Sequence, residues 1–160
     1  AQNINISQPS NLALVTQTTL SVDDTKQIIE ILKKRFPEIK SPNADDICYA
    51  TQNRQDAVKQ LALETDFIIV VGSENSSNSN RLKELAELMG TESCLVDHVS
   101  QLSEDSLKKI SKLGITSGAS APEELVKEII SYCKGFGFST VKEIQGLKEN
   151  ISFKLPKELR

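Results

Sequence analysis

The stretch FIIVVG at residues 67–72, with SENSSNSNRLKELAELMG at residues 73–90 behind it, decides the fold. Phe67 to Val71 is an unbroken apolar run, β-branched from Ile68 onward. It leaves no polar face for water, so it reads as a strand covered on both sides, the kind found at the centre of a parallel sheet. A Ser/Asn-rich loop follows. Leu82, Leu85, Ala86 and Met89 then recur at i, i+3, i+4 and i+7, the spacing of one helix face. Gly90 is placed to stop that helix, because glycine accepts the left-handed backbone that closes helix ends.

Strand, polar loop and amphipathic helix recur in both directions from this stretch, as a pattern without sequence identity. Upstream, Leu12 to Val15 leads through TQTTLSVDD to a helix ending near Phe36, with Ile29, Leu32 and Phe36 at helical spacing and Ser21 with Asp24 as its capping pair. Pro37 ends that helix, and the segment through Pro42 to Asp45 is the expected linker. Residues 1–42 are thus read as the end of one α/β domain and residues 43–160 as a C-terminal α/β domain. Past the linker, DDICYATQNRQ feeds a helix on which Val58, Leu61 and Ala62 share a face. Downstream come a strand from Cys94 to Asp97, a short helical stretch from Glu104 to Ile110, and a strand from Leu113 to Thr116. The loop SGASA and a helix opened by Pro122, Glu123 and Glu124 complete the series. Val141 and Ile144, then Ile151, Phe153 and Leu155, are expected to form closing edge strands that turn at Gly146. The alternation predicts an α/β fold with a parallel sheet flanked by helices, one complete small domain plus the end of a neighbouring one. Ligands of such sheets gather at the carboxyl ends of the strands, where these polar loops lie.

With 160 residues, 38% apolar and 26% charged, the chain has the balance of one ordinary globular domain or two small ones. A net charge of −3 and the absence of Trp provide neither a basic face for phosphates nor a stacking platform, so no nucleic acid is expected as a partner. No apolar run approaches the roughly 20 residues that cross a bilayer, so no membrane partner is expected either. Cys48, Cys94 and Cys133 are odd in number and widely spaced, which suits a reducing, cytosol-like compartment. AQNINISQPSN lacks the basic and apolar regions of a signal peptide, and a first residue of Ala hints at a processed product or an excised piece.

Chemistry concentrates in the loops. Ser73, Asn75, Ser76, Ser77, Asn78, Ser79 and Asn80 crowd one strand-to-helix turn, more hydroxyls and amides than one helix cap needs. Together with free N–H groups of the helix start they suit a phosphate or diphosphate without any lysine, although a solvated loop with a single cap has the same composition. Thr116, Ser117 and Ser120 around Gly118 form a second such loop, for which ordinary helix punctuation is the alternative. Thr16, Gln17, Thr18 and Thr19 are a third. Cys94 and Cys133 fall at apolar positions and read as core. Cys48 stands in a loop ahead of a helix whose positive end favours a thiolate, with no second ligand at metal-binding spacing. His98 is the sole histidine and lacks partners for metal or triad chemistry, so it reads as a surface or supporting residue. Arg81 is near the first loop but on a helix position that can face away.

TQTTLSVDDT, DDICYATQNRQ, VVGSENSSNSNRL, GITSGASAPEELV and the closing PKELR together resemble the hydroxymethylbutenyl diphosphate reductase family, the LytB or IspH proteins of the non-mevalonate isoprenoid route. The resemblance runs from about Leu14 to the end and corresponds to the C-terminal half of a family member. It implies that Cys48 is the last of three cysteines holding a 4Fe-4S cluster, the other two being expected before Ala1. It implies diphosphate contacts from Ser76, Ser77, Asn78 and Ser120, and places Thr18 near the substrate hydroxyl and its proton relay, as a catalytic and substrate-binding residue. The family's glutamate proton donor and substrate-binding histidines would also lie in the missing part.

The activity so implied is reductive dehydroxylation of 4-hydroxy-3-methylbut-2-enyl diphosphate to isopentenyl and dimethylallyl diphosphates. Its partners would be the allylic diphosphate, the N-terminal half of the same enzyme, and an electron donor such as ferredoxin or flavodoxin, in a bacterial cytoplasm or a plastid-type organelle. The 160 residues alone are expected to be inactive, and the surface that meets the other half is expected to be apolar and adhesive. The alternative is a noncatalytic module that binds a phosphorylated metabolite or another protein.

Overall fold

A computed structural model of the chain describes residues 1–7, 11–41, 46–144, 146 and 155–156. In chain order its elements are α1 (Val22–Arg35), α2 (Tyr49–Glu64), β1 (Phe67–Val71), α3 (Ser77–Leu88), β2 (Glu92–Val96), α4 (Glu104–Leu107), β3 (Leu113–Ser117) and α5 (Glu123–Lys134), with a 3-10 turn at Val99–Gln101. The apolar run at 67–71 is the central strand of a three-stranded parallel sheet in the order β2-β1-β3. Phe67 pairs with Glu92 and Leu113, and Val71 with Val96 and Ser117.

Alternation along β1 explains the two-sided core. Ile68 and Val70 point to one face, where Val58 of α2 and Leu82 and Ala86 of α3 pack on them. Ile69 and Val71 point to the other, against Val96, Leu102, Leu107, Ile129 and Cys133. Ile68, Ile69, Val70 and Val71 all lose their entire accessible surface, each contributing about 1.5–3 kcal/mol of burial free energy. The sheet is therefore sandwiched between α2 and α3 on one side and α4 and α5 on the other, the parallel α/β arrangement that the sequence predicts.

Boundaries follow local chemistry. Ser21 caps α1 by accepting from the Asp24 N–H at 3.2 Å, with Asp23 and Asp24 in the first turn and Lys33, Lys34 and Arg35 in the last, complementing the helix dipole. Gly90 has φ +86° and lies just beyond α3. That helix ends at Leu88, so Met89 is its C-cap, 43% exposed, and not a member of the buried face. Pro122 is the N-cap of α5, with Glu123 and Glu124 behind it.

The outer strands of the sequence reading differ from the structure. Leu12 to Val15 forms a single parallel bridge, Ala13 to Lys40, with Leu14 N–H donating to the Lys40 carbonyl at 2.8 Å and Lys40 N–H to Leu12 at 3.0 Å. Val15 is 82% exposed. Val141 and Ile144 lie in irregular backbone, as does Leu155, while Ile151 and Phe153 fall outside the described residues. A strand exists only where a neighbour accepts its ladder, and among the described residues none lies beside Val141 or Ile144.

Candidate functional site

The chain leaves β1 and β3 in opposite directions. From β1 it turns to α3 on one face of the sheet, and from the adjacent β3 to α5 on the other. This divergence marks the switch point between the two strand ends, the crevice position at which open parallel sheets take ligands. Gly72 and Gly118 form its lip: Gly72 N–H donates to the Val96 carbonyl at 2.8 Å and Gly118 N–H to Val71 at 2.9 Å. Because α2 runs back toward the start of β1, its N-terminus, with Cys48 as N-cap, lies at the same rim.

Some loop residues serve the loop itself. Ser76 is the N-cap of α3, its oxygen accepting from Ser79 N–H at 3.3 Å, which leaves its own O–H free to donate. The Asn80 carboxamide donates to the Glu74 and Ser76 carbonyls at 2.6 and 3.0 Å, and the Ser73 hydroxyl accepts from Asn75 N–H. Ser77 is exposed on the first turn. Asn78 and Ser79 differ. They are 6% and 1% exposed, and neither atom of the Asn78 carboxamide, nor the Ser79 hydroxyl oxygen, has a hydrogen-bond partner among the described residues. Such atoms are rare in native proteins, and each costs about 1–3 kcal/mol when left unpaired. They sit at the positive end of a twelve-residue helix. A β-carbon built on Gly118 would stand 3.7 Å from Asn78 Nδ2, so the two hydroxyl-rich loops adjoin. Ser120 is exposed two residues further on, without a direct bond to the first loop among the described residues.

The second group assembles around Cys48. Its N–H donates to the Thr18 carbonyl at 3.1 Å, so two residues thirty positions apart are held side by side. The thiol is free and exposed, and Thr18 is exposed beside it. Asp46 accepts from Thr16 N–H at 2.9 Å. The buried Gln55 donates to the Leu20 carbonyl at 2.9 Å and accepts from Val22 N–H at 3.3 Å, fixing the 18–22 loop onto α2. Asp23 meets Lys59 at 2.8 Å and holds its ammonium above the usual value. Arg81 pairs with Glu84 at 2.9 Å and Asp24 at 3.9 Å, so its charge is engaged by carboxylates.

Burial pushes the Cys94 thiol up to about 11, against the opposing pull of Lys83, and raises Cys133 too. Both stay protonated, as core residues should. His98 is exposed and caps the 3-10 turn through Nδ1, 2.8 Å from the Ser100 hydroxyl. An open groove of about 380 Å³ runs beside β2, lined by Glu74, Asn80, Lys83, Ser93, Cys94 and Leu95. It contains none of the orphaned atoms, and its amide, Asn80, is already spent on the loop, so the crevice is the stronger site. Among the described residues no three His, Cys, Asp or Glu side chains converge for a metal. Cys48 presents a single exposed sulfur there.

Sequence reasoning passed over Gln55 and the pairing of Gly72 with Gly118, and counted Ser79 only as one of the crowded loop residues. Gln55 had a signal: Cys48, Thr51, Gln55 and Val58 follow one face of α2, and Thr51, Gln55 and Val58 are buried. Gly72 and Gly118 had none, since their meaning depends on two strands lying next to each other.

A family model described as LytB protein matches residues 1–134. The chain is 55% identical over 157 residues to the 4-hydroxy-3-methylbut-2-enyl diphosphate reductase of Methylococcus capsulatus, covering 98% of this chain and 50% of that protein. Identity to the reductase of the same name from Aliivibrio fischeri is 56%, with the same coverage. The solved structure of the E-1-hydroxy-2-methyl-but-2-enyl-4-diphosphate reductase from Plasmodium falciparum superposes with a TM-score of 0.88 at 35% identity, over 98% of this chain and 50% of that one. The chain spans about half the length of these relatives.

Proposed function

This chain belongs to the LytB protein family, and from that premise we propose that it supplies the diphosphate cradle and one cluster ligand of a 4-hydroxy-3-methylbut-2-enyl diphosphate reductase. The observation that carries the reading is the buried, unpartnered Asn78 carboxamide beside Gly118 at the strand-end crevice. A diphosphate offers acceptors to Asn78 Nδ2, to the Ser76 and Ser77 hydroxyls and to the first N–H groups of α3, while Ser120 approaches from the second loop. Neutral donors fixed in advance hold the anion by orientation as much as by charge.

Cys48 would hold one iron of a 4Fe-4S cluster, the remaining ligands coming from outside the described residues. When bound, that cluster supplies two electrons and a Lewis-acidic iron to the substrate oxygen. With the diphosphate clamped, the chain fixes how far the allylic C–O bond lies from the Cys48 rim. Thr18, held there by the backbone bond to Cys48, would hydrogen-bond the substrate hydroxyl and relay to it a proton taken from an acid outside the described residues. Overall, two electrons and two protons convert the alcohol to isopentenyl or dimethylallyl diphosphate and water. The electrons would come from a carrier such as ferredoxin or flavodoxin, in a bacterial cytoplasm or plastid-type organelle. Among the described residues no helix is long and apolar enough to cross a membrane.

Anaerobic reconstitution of the enzyme carrying both halves tests this. Cys48→Ala should remove the cluster's visible absorption and the activity, while Asn78→Ala should keep the absorption and raise KM for the diphosphate about tenfold or more, the loss of one or two charge-assisted bonds. Full activity in both variants would refute the reading. Tight diphosphate binding by the chain with no cluster formed under any condition would favour a noncatalytic phosphometabolite module.

A further inference from the structure

The Ser79 side chain takes no part in capping α3, which uses only its backbone N–H, yet Ser79 is the most buried polar residue of this turn at 1% exposure. Its oxygen has no hydrogen-bond partner among the described residues, so it is not held there by a bond. Its surroundings explain its position. A β-carbon at Gly72 would lie 2.3 Å from Ser79 Oγ and 2.9 Å from Ser79 Cβ, and one at Gly118 would lie 2.3 Å from the same Oγ but 3.5 Å from Cβ. One hydroxymethyl group thus fills the side-chain space of two glycines, each at the end of one of two neighbouring strands. Asn78, the preceding residue, reaches the same spot over Gly118.

We propose that Ser79 is a positioning residue, a spacer that sets the gap between the start of α3 and the two glycines that follow the paired ends of β1 and β3. It thereby sets the distance between the start of α3 and the 118–120 loop. The ligand spanning that gap is the diphosphate of the reading above, on which this part rests; the spacer geometry itself does not depend on it. A spacer acts by volume, so its role can be moved across the gap. In Gly118→Ala the new methyl collides with Ser79 Oγ. Removing that oxygen with Ser79→Ala leaves the methyl 3.5 Å from Cβ, an ordinary contact, and the methyl takes over the vacated volume. At Gly72 no such exchange is open, because the 2.9 Å approach to Cβ persists.

The test uses the intact chain, with inorganic diphosphate titrated by calorimetry and the urea midpoint measured alongside. Gly118→Ala should weaken diphosphate binding about tenfold or more and lower the midpoint, since displacements of about 1 Å have costs of that order. Adding Ser79→Ala should restore affinity to within about threefold of the parent, a coupling typical of touching residues. Gly72→Ala should not be rescued by Ser79→Ala. A double variant no better than Gly118→Ala alone, or equal rescue at Gly72, overturns the proposal. If the parent chain binds no diphosphate, the cradle reading fails; the spacer then stands or falls on the same asymmetry in the urea midpoints.

Discussion

Cys48 and Cys94 show how one residue type divides between chemistry and packing. Cys94 is half-buried, and burial lifts its thiol to about 11, whereas Cys48 stands exposed at the head of α2. The thiolate is the reactive form, so iodoacetamide at pH 8 should label Cys48 at least about tenfold faster than Cys94 or Cys133. Cys94 should become reactive in the folded protein only as pH approaches 11. Peptide mapping that finds Cys94 modified as quickly as Cys48 at pH 8 would contradict the assignment. At this scale the candidate site was only partly legible in the sequence. Crowded hydroxyls and amides mark the first loop, but composition does not separate Ser73 and Asn80, used up inside the loop, from Asn78, buried and unpaired. That distinction depends on which way each side chain points from the helix start.

Elements place these residues, and the coupling between α2 and the segment before it is the least obvious. The ion pairs of Lys59 with Asp23 and of Arg81 with Asp24 join partly exposed side chains, where such pairs contribute about 0–1 kcal/mol. Gln55 contributes more, because its buried amide satisfies both the Leu20 carbonyl and the Val22 N–H. Gln55→Leu should cost roughly 1–3 kcal/mol and raise hydrogen exchange at residues 18–22 while leaving β1 protected. Unchanged exchange in that loop would mean that the ion pairs suffice. β1 and α3 were legible because their signals are local: an apolar run, a 3.6-residue period and a terminal glycine. Leu12 to Val15 and Val141 to Ile144 were not, since an apolar segment becomes a strand only when another strand lies alongside.

For the molecule as a whole, part of the surface is apolar. Val15, Leu63 and Leu88 are 82%, 79% and 78% exposed, and Ala13 with Lys40 makes one bridge where a sheet would make a ladder. These exposed apolar side chains are of the kind a contact surface presents. Light scattering on the 160-residue chain should show reversible self-association over tens of micromolar, and a concentration-independent monomer would count against this. The central claim is that an uncharged crevice at the ends of β1 and β3 takes the diphosphate. Titrating isotope-labelled chain with inorganic diphosphate and following nitrogen–proton correlations tests it most directly. The Asn78 side-chain amide and the backbone amides of residues 77–79 and 118–120 should shift together and saturate together. Shifts confined to Glu74, Lys83 and Ser93 in the groove beside β2, or none at all, would contradict it.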